Sequence, residues 1–336
     1  MNRSSFNRWL PAGALALATL VALPAQAGPF GALFVFGDSL SDDGNNALVI
    51  GANAAQPIPN NSYVPTQPYA SGTYSNGPVW ANYYANLLGV SLTPSLAGGG
   101  DYAFGGATTG PDPSGFPFSL RTQASQYLTK AGGVAQADAL YVVAGGGNNA
   151  RAALAAIAGG ADPVATAIAA AAAFANDIGV IVDELQAAGA QHIVVWNTPN
   201  LGLAPAVVAG GGAQLGSFLA GTMNGALATR LNGEAGVSTF DLFGLGGQLA
   251  TNPAAFGFTD VTDACGAVAN ANCSQYAYWD GIHPTTTAHL AIANAMFAAT
   301  VPVPEPETYA LLAFGLAAVA WASRRRKTLQ QTLHRA

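Results

Sequence analysis

Four short strand-like runs, separated by stretches with helical spacing, set the strongest limit on how this chain folds. They occupy residues 33–37, 139–143, 192–196 and 237–243. The first two are apolar almost throughout, as a strand buried on both faces must be. Between and after them the spacing changes. Residues 79–88 place Trp80, Tyr83, Tyr84 and Leu87 at i, i+3, i+4 and i+7. Residues 163–188 are an Ala-rich helix that Gly189 stops, and 214–231 and 284–299 also read as helices, the last with Pro284 in its first turn. Residues 47–73, rich in Pro, Asn, Gln and Gly, read as an irregular loop, and 101–106 as a short strand or sheet edge followed by a turn. Strands alternating with helices predict an α/β fold, a parallel sheet covered on both faces, here within one domain.

In such sheets, ligands bind beyond the carboxyl ends of the strands. Ser39 follows the first run within Gly37-Asp38-Ser39-Leu40, and Asn148 follows the second within Gly145-Gly146-Gly147-Asn148-Asn149. A Ser after Gly-Asp more often caps a helix than reacts. Its distant partners raise it above that. Asp280 and His283, in Trp279-Asp280-Gly281-Ile282-His283-Pro284, lie on one turn, so the carboxylate can reach the imidazole Nδ1 while Nε2 faces outward. Serine becomes nucleophilic when a histidine takes its proton and a carboxylate orients that histidine. Acyl transfer also needs donors for an oxyanion. Gly105-Gly106 and the turn carrying Asn148 can supply them, and neither has the Lys-Ser/Thr of a phosphate loop. Asp42 and Asp43 read as fixing the serine's turn, since no cation-loop spacing surrounds them. His192 reads as a packing or capping residue, His289 as a structural hydrogen-bonding one; His334 falls in the tail.

The two ends stand apart from the body. Residues 1–27 carry Arg3 and Arg8, an apolar core, then Ala25-Gln26-Ala27, the pattern of a secretory signal peptide cleaved after Ala27. Residues 303–307 read Val-Pro-Glu-Pro-Glu, followed by an apolar stretch at 308–323 and Arg324-Arg325-Arg326-Lys327. That order resembles a PEP-CTERM sorting signal, whose apolar helix is a temporary membrane tether removed by an exosortase. The basic cluster would stay cytoplasmic. Residues 328–336 form a short tail. The alternative is a permanent anchor, against which the short apolar run speaks. Between Gly28 and Val303 the chain holds four Lys and Arg against fifteen Asp and Glu, a net charge of −11. Such a surface repels nucleic acid and anionic lipid. Cys265 and Cys273, close together in an exported chain, are expected to form a disulfide, and no further ligands suggest a metal pair.

Taken together, Gly37-Asp38-Ser39-Leu40, Gly106, Asn148 and the Asp280/His283 pair resemble the four blocks of the GDSL, or SGNH, hydrolases. Tyr74-Ser75-Asn76-Gly77-Pro78-Val79-Trp80 and His283-Pro284-Thr285 resemble segments of that family's secreted lipase-like branch. The resemblance spans residues 32–298. It implies a flavodoxin-like three-layer sandwich in residues 28–302. It also implies an ester substrate, no metal or organic cofactor, catalysis by Ser39, Asp280 and His283, and an oxyanion hole formed by Ser39, Gly106 and Asn148. Gly105 is the other candidate for the glycine donor. Asn149 stands where the family usually has Asp, and Asp101 where this branch often has Asn. Two other readings stay open: a carbohydrate O-deacetylase of the same fold, and a surface-binding module without activity.

Overall fold

The computed structural model describes residues 29–61, 65–111, 114–301, 314–321 and 324. The expected signal peptide and most of the sorting segment lie outside these residues.

The elements run β1 (Ala32–Gly37), α1 (Asn45–Ile50), α2 (Trp80–Leu88), α3 (Leu120–Lys130), β2 (Ala139–Ala144), α4 (Gly147–Ala158), α5 (Pro163–Ala187) and β3 (His192–Trp196). They continue with α6 (Pro205–Ala209), α7 (Ala213–Arg230), β4 (Val237–Phe240), α8 (Leu242–Thr251), β5 (Asp260–Ala264), β6 (Tyr276–Tyr278) and α9 (Thr286–Thr300). β1 to β4 form a parallel four-stranded sheet in sequence order. Successive side chains leave a strand on opposite faces, so each strand feeds two cores. Phe36, Tyr141, Val143, Ile193 and Val195 pack under α3, α5 and α7 with Leu120, Phe174, Ile178, Met223 and Leu227. Leu33, Val35, Leu140, Val142, Val194 and Trp196 pack the other way, against Trp80 and Tyr84 of α2 and Ile292 and Met296 of α9. The result is the three-layer α/β/α sandwich expected from the pattern. All six residues of β2 are buried, as befits an inner strand with helices on both sides.

α5 is long and apolar enough to cross a membrane by length and composition, with mean hydropathy 1.7. It packs against α3, α4 and α7 beneath the sheet, so here it is a core helix. In the tail, residues 314–321 are helical, with Phe314, Leu316, Val319 and Trp321 all exposed.

Three expectations need correcting. The fourth strand ends at Phe240 rather than 243, because the Asp241 carboxylate accepts the Gly244 N–H at 2.8 Å and starts α8. The last helix begins at Thr286, capped by Thr285, and Pro284 stays outside it. The expected loop 47–73 overlaps α1, which turns Asn45 and Asn46 inward and leaves Leu48, Val49 and Ile50 exposed. The 101–106 edge is present as a bridge between Asp101 and Val35, closed by the Tyr102 N–H on the Val35 carbonyl at 2.8 Å.

Candidate active site

β1 delivers Ser39 at the carboxyl edge of the sheet. Gln123 of α3 grips the strand's last residue on both sides: its Oε1 accepts the Gly37 N–H at 2.8 Å and its Nε2 donates to the Gly37 carbonyl at 2.9 Å. Beyond it, the Asp38 carboxylate accepts the Leu40 N–H at 3.0 Å, and the Asp38 carbonyl accepts from Ser41 and Asp42. The chain turns sharply and presents the Ser39 hydroxyl.

Asp42 and Asp43 hold this turn, as expected. Asp42 Oδ1 accepts the Gly44 N–H at 2.9 Å and Oδ2 accepts the Gly105 N–H at 2.8 Å. The Asp43 N–H donates to Asp101 Oδ2 at 2.9 Å, and Asp101 Oδ1 accepts the Ala103 N–H at 3.0 Å. A carboxylate cluster therefore ties the serine turn to the 101–106 loop. Burial lifts Asp38 and Asp42 from the usual 3.8 to about 6, and lifts Asp43 and Asp101 as well. These acids bind protons more tightly folded than unfolded. Their contribution to stability is fully present below their unfolded pKa and is lost as pH rises from ~4 through about 6. Burial that pushes His289 down to about 3 works the other way, adding stability as pH rises towards its unfolded pKa. The midpoint of thermal unfolding is therefore expected to fall by only a few °C between pH 4.5 and pH 7.5, each kcal/mol being worth a few degrees at this size. A midpoint that rises over that range in calorimetry would contradict the burial argument.

Asp280 and His283 come from the loop between β6 and α9. Asp280 Oδ1 accepts the N–H groups of Ile282 and His283, both at 2.8 Å. Its Oδ2 accepts the Tyr69 hydroxyl at 2.9 Å and lies 2.7 Å from His283 Nδ1. A carboxylate fed by these donors is an acceptor, so Nδ1 carries the ring proton and Nε2 is left to accept. Nε2 lies 2.8 Å from Ser39 Oγ. Ser39, His283 and Asp280, expected from sequence, thus form one continuous hydrogen-bonded line across 244 positions of chain. Asp280 is fully buried and His283 nearly so.

The surroundings explain how the loop keeps this shape. The Trp279 N–H donates to the His283 carbonyl at 2.8 Å, and the Gly266 N–H donates to the Trp279 carbonyl at 2.9 Å. Cys265 and Cys273 form the expected disulfide, with Cα atoms 5.5 Å apart, and so brace the strand pair from which the loop springs. Ser75 Oγ donates to the Pro284 carbonyl at 2.8 Å, and Asn76 Oδ1 accepts the Thr286 N–H at 2.8 Å. The Tyr74 ring stacks on His283 with centroids 5.4 Å apart. His289 sits one turn into α9, buried, with neither ring nitrogen bonded among the described residues, and burial pushes it down to about 3. It is a packed neutral imidazole, which corrects the expected structural hydrogen bond. His192 packs edge-on against Phe30, as expected of a packing residue.

Ser39, Gly106, Asn148 and His283 line one cleft of about 250 Å³. Gly105 also lines it, but its N–H is taken by Asp42, whereas the N–H groups of Ser39 and Gly106 have no partner among the described residues. Gly106 has φ +85°, a conformation that glycine adopts without strain. Asn148 Nδ2 donates to the Ala107 carbonyl at 2.8 Å, which leaves its second hydrogen free. Asn149 binds Thr109 twice, through the Thr109 N–H at 3.1 Å and its hydroxyl at 3.0 Å. So α4 holds the Gly106 loop by two adjacent side chains. No group of His, Cys, Asp and Glu able to hold a metal occurs among the described residues. The arrangement can activate a hydroxyl and solvate an oxyanion beside it.

Residues 33–296 match the family described as GDSL-like Lipase/Acylhydrolase. The chain belongs to the GDSL lipase/acylhydrolase family. Residues 302–327 match the PEP-CTERM protein-sorting motif. Two GDSL esterase/lipases of Arabidopsis thaliana are 26% and 25% identical, covering 86% and 85% of this chain and 92% and 86% of their own. Lipase 1 of Photorhabdus luminescens is 32% identical over 38% of this chain and 17% of its own. Among solved structures, the carbohydrate acetylesterase Est24 of Sinorhizobium meliloti is 18% identical with a TM-score of 0.44, covering 81% of this chain and 99% of that one. The native aryl esterase of M. smegmatis is 19% identical with a TM-score of 0.41, covering 80% and 99%. Family membership makes the protein an ester hydrolase of the GDSL type, and the sorting motif marks it for export, exosortase processing and sorting to the cell envelope.

Sequence reasoning missed Tyr69, Gln123 and Arg151. Arg151, one turn along α4 from Asn148, lines the cleft and donates from Nη1 to Asn148 Oδ1 at 3.2 Å.

Proposed function

We propose that this GDSL hydrolase is an exported serine esterase of lipase type, working through an acyl-enzyme. The observation that carries the reading is the unbroken line from Ser39 Oγ through His283 to Asp280. Ser39 Oγ attacks the ester carbonyl while its proton passes to His283 Nε2. The carbonyl oxygen takes up the electron pair as an oxyanion. It is held by the Ser39 and Gly106 N–H groups and the free Asn148 amide hydrogen. When the pair returns, the ester C–O bond breaks and the proton on Nε2 goes to the departing alcohol. A water molecule then repeats the sequence, giving its proton to His283, adding its oxygen to the acyl carbon and releasing Ser39. Asp280 holds the ring and stabilises its charged form throughout.

An apolar acyl group fits the surroundings better than acetylated sugar. Ile282, beside His283, lines the catalytic cleft and also an apolar hollow bordered by Leu40, Leu203, Leu242, Leu245 and Leu249. The test is a series of 4-nitrophenyl esters of increasing acyl length, set against an acetylated oligosaccharide, on the protein carrying residues 28–302. The expected result is kcat/KM that rises beyond acetate by at least tenfold, about what two or three buried methylenes contribute. Hydrolysis confined to acetyl groups on the sugar would favour the deacetylase reading. Absence of all turnover would favour the binding module.

For the tail, the reading is a temporary tether at 308–323, with cleavage near Pro304-Glu305-Pro306 that releases the enzyme. One epitope in the body and another in the 328–336 tail, followed in the native host, should show loss of the tail epitope from the released enzyme. Full-length protein kept in the membrane would instead mean a permanent anchor.

A further inference from the structure

The body of this protein is acidic, and it carries just four Lys and Arg between Gly28 and Val303. Three of them have evident partners. Arg230 binds Asp183 and Glu234, Arg121 pairs with Asp177 at 3.8 Å, and Lys130 donates to the Gly98 carbonyl at 3.3 Å. Arg151 is different. It lines the catalytic cleft, and no carboxylate lies within ion-pair distance of it among the described residues. Its one hydrogen bond goes to a neutral amide oxygen, Asn148 Oδ1. Asp280 and Asp38 favour its charge only through space, and a partly buried cation with no carboxylate in contact is costly to keep and calls for a local reason.

That bond, with the one Asn148 makes on its other side, supplies the reason. An Asn amide can flip, exchanging its oxygen and nitrogen at little cost when unrestrained. Here the oxygen accepts from Arg151 and the nitrogen donates to the Ala107 carbonyl. A flip would set the amide NH₂ against the guanidinium and the oxygen against a carbonyl. Arg151 therefore fixes the orientation in which a hydrogen, not an oxygen, faces the reacting carbonyl. It also polarises the amide, making the remaining N–H a better donor, as charge-assisted networks do.

We infer that Arg151 is a positioning residue of the oxyanion hole, locking the Asn148 amide donor-inward and placing a positive charge behind it. The inference rests on the hydrolase reading above. Its effect falls on turnover, because the oxyanion exists in the transition state and not in the bound ester.

The test compares Arg151→Met, Arg151→Lys, Asn148→Ala and the double variant Asn148→Ala/Arg151→Met on neutral 4-nitrophenyl acetate and anionic 4-nitrophenyl hemisuccinate. Far-UV circular dichroism and a thermal melt check folding, and the lysine variant keeps the aliphatic stem. Loss of one oxyanion donor costs roughly 10²–10³ in kcat. Arg151→Met is expected to lower kcat at least about tenfold on both esters with KM within about twofold, and Arg151→Lys to recover part of it. The double variant should fall no more than about threefold below Asn148→Ala alone, because the arginine acts through the amide. Fully additive losses would overturn the inference, as would a change in KM alone. A loss confined to the hemisuccinate would also overturn it and make Arg151 a subsite for substrate anions. If Ser39→Ala is inert while Arg151→Met behaves as the parent enzyme, this inference alone fails. If Ser39→Ala keeps its turnover, the hydrolase reading fails with it.

Discussion

Replacing Ser39 by alanine should lower kcat for ester hydrolysis by at least about 10⁴-fold and leave the protein folded, since losing the nucleophile of such a triad removes nearly all the chemistry the other members support. The change deletes one oxygen at a site that is 8% exposed and lines an open cleft. It costs the 2.8 Å bond to His283 and creates no cavity among apolar groups. Water can take the vacated place, so stability should shift by no more than about 1 kcal/mol, the usual net worth of one hydrogen bond. Turnover within tenfold of the parent enzyme would remove Ser39 from the chemistry.

Asp280→Asn should be nearly as severe, at roughly 10³–10⁴-fold in kcat, through the tautomer of His283. The two backbone N–H groups at 2.8 Å hold an oxygen at the Oδ1 position, so the new amide nitrogen must face His283 Nδ1. An NH₂ there donates to Nδ1 and moves the ring proton to Nε2, where it points at Ser39 and can accept nothing from it. The same nitrogen meets the Tyr69 hydroxyl, which would have to turn and accept. The variant should therefore keep KM near the parent value while kcat collapses. A variant whose KM rises at unchanged kcat would show that Asp280 shapes the substrate pocket rather than the imidazole.

Much of this was legible in the sequence, for identifiable reasons. β2 is an inner strand and β1 the end strand beside it, both with cores on both faces, so they appear as nearly unbroken apolar runs. Asp280 and His283 sit on one turn, and their pairing follows from local spacing. Gly106 and Asn148 follow the sheet's carboxyl edge at the expected places. The choice between Gly105 and Gly106 needed the structure, because it depends on Asp42, 63 positions away, occupying the Gly105 N–H. Tyr69 reaches Asp280 across 211 positions and could not be read from either segment alone. α1 escaped because it is inverted: its buried face is made of Asn45 and Asn46, which hydrogen-bond the 101–105 loop, while its apolar residues face outward. A periodicity search looks for the opposite pattern. β4 was drawn too long because Leu242 and Phe243 continue the apolar run, although Asp241 already caps the next helix.

The central claim is that Ser39 is the nucleophile that His283 and Asp280 activate. Labelling of the folded protein with a fluorophosphonate, followed by proteolysis and mass spectrometry, tests it most directly, because the reagent reports on serine reactivity without any assumption about the substrate. The account predicts a single adduct on the peptide containing Ser39, formed rapidly in the parent protein and at least about 10³-fold more slowly in Asp280→Asn. A stoichiometric adduct on another serine, or full ester hydrolysis by protein that takes no label, would contradict it.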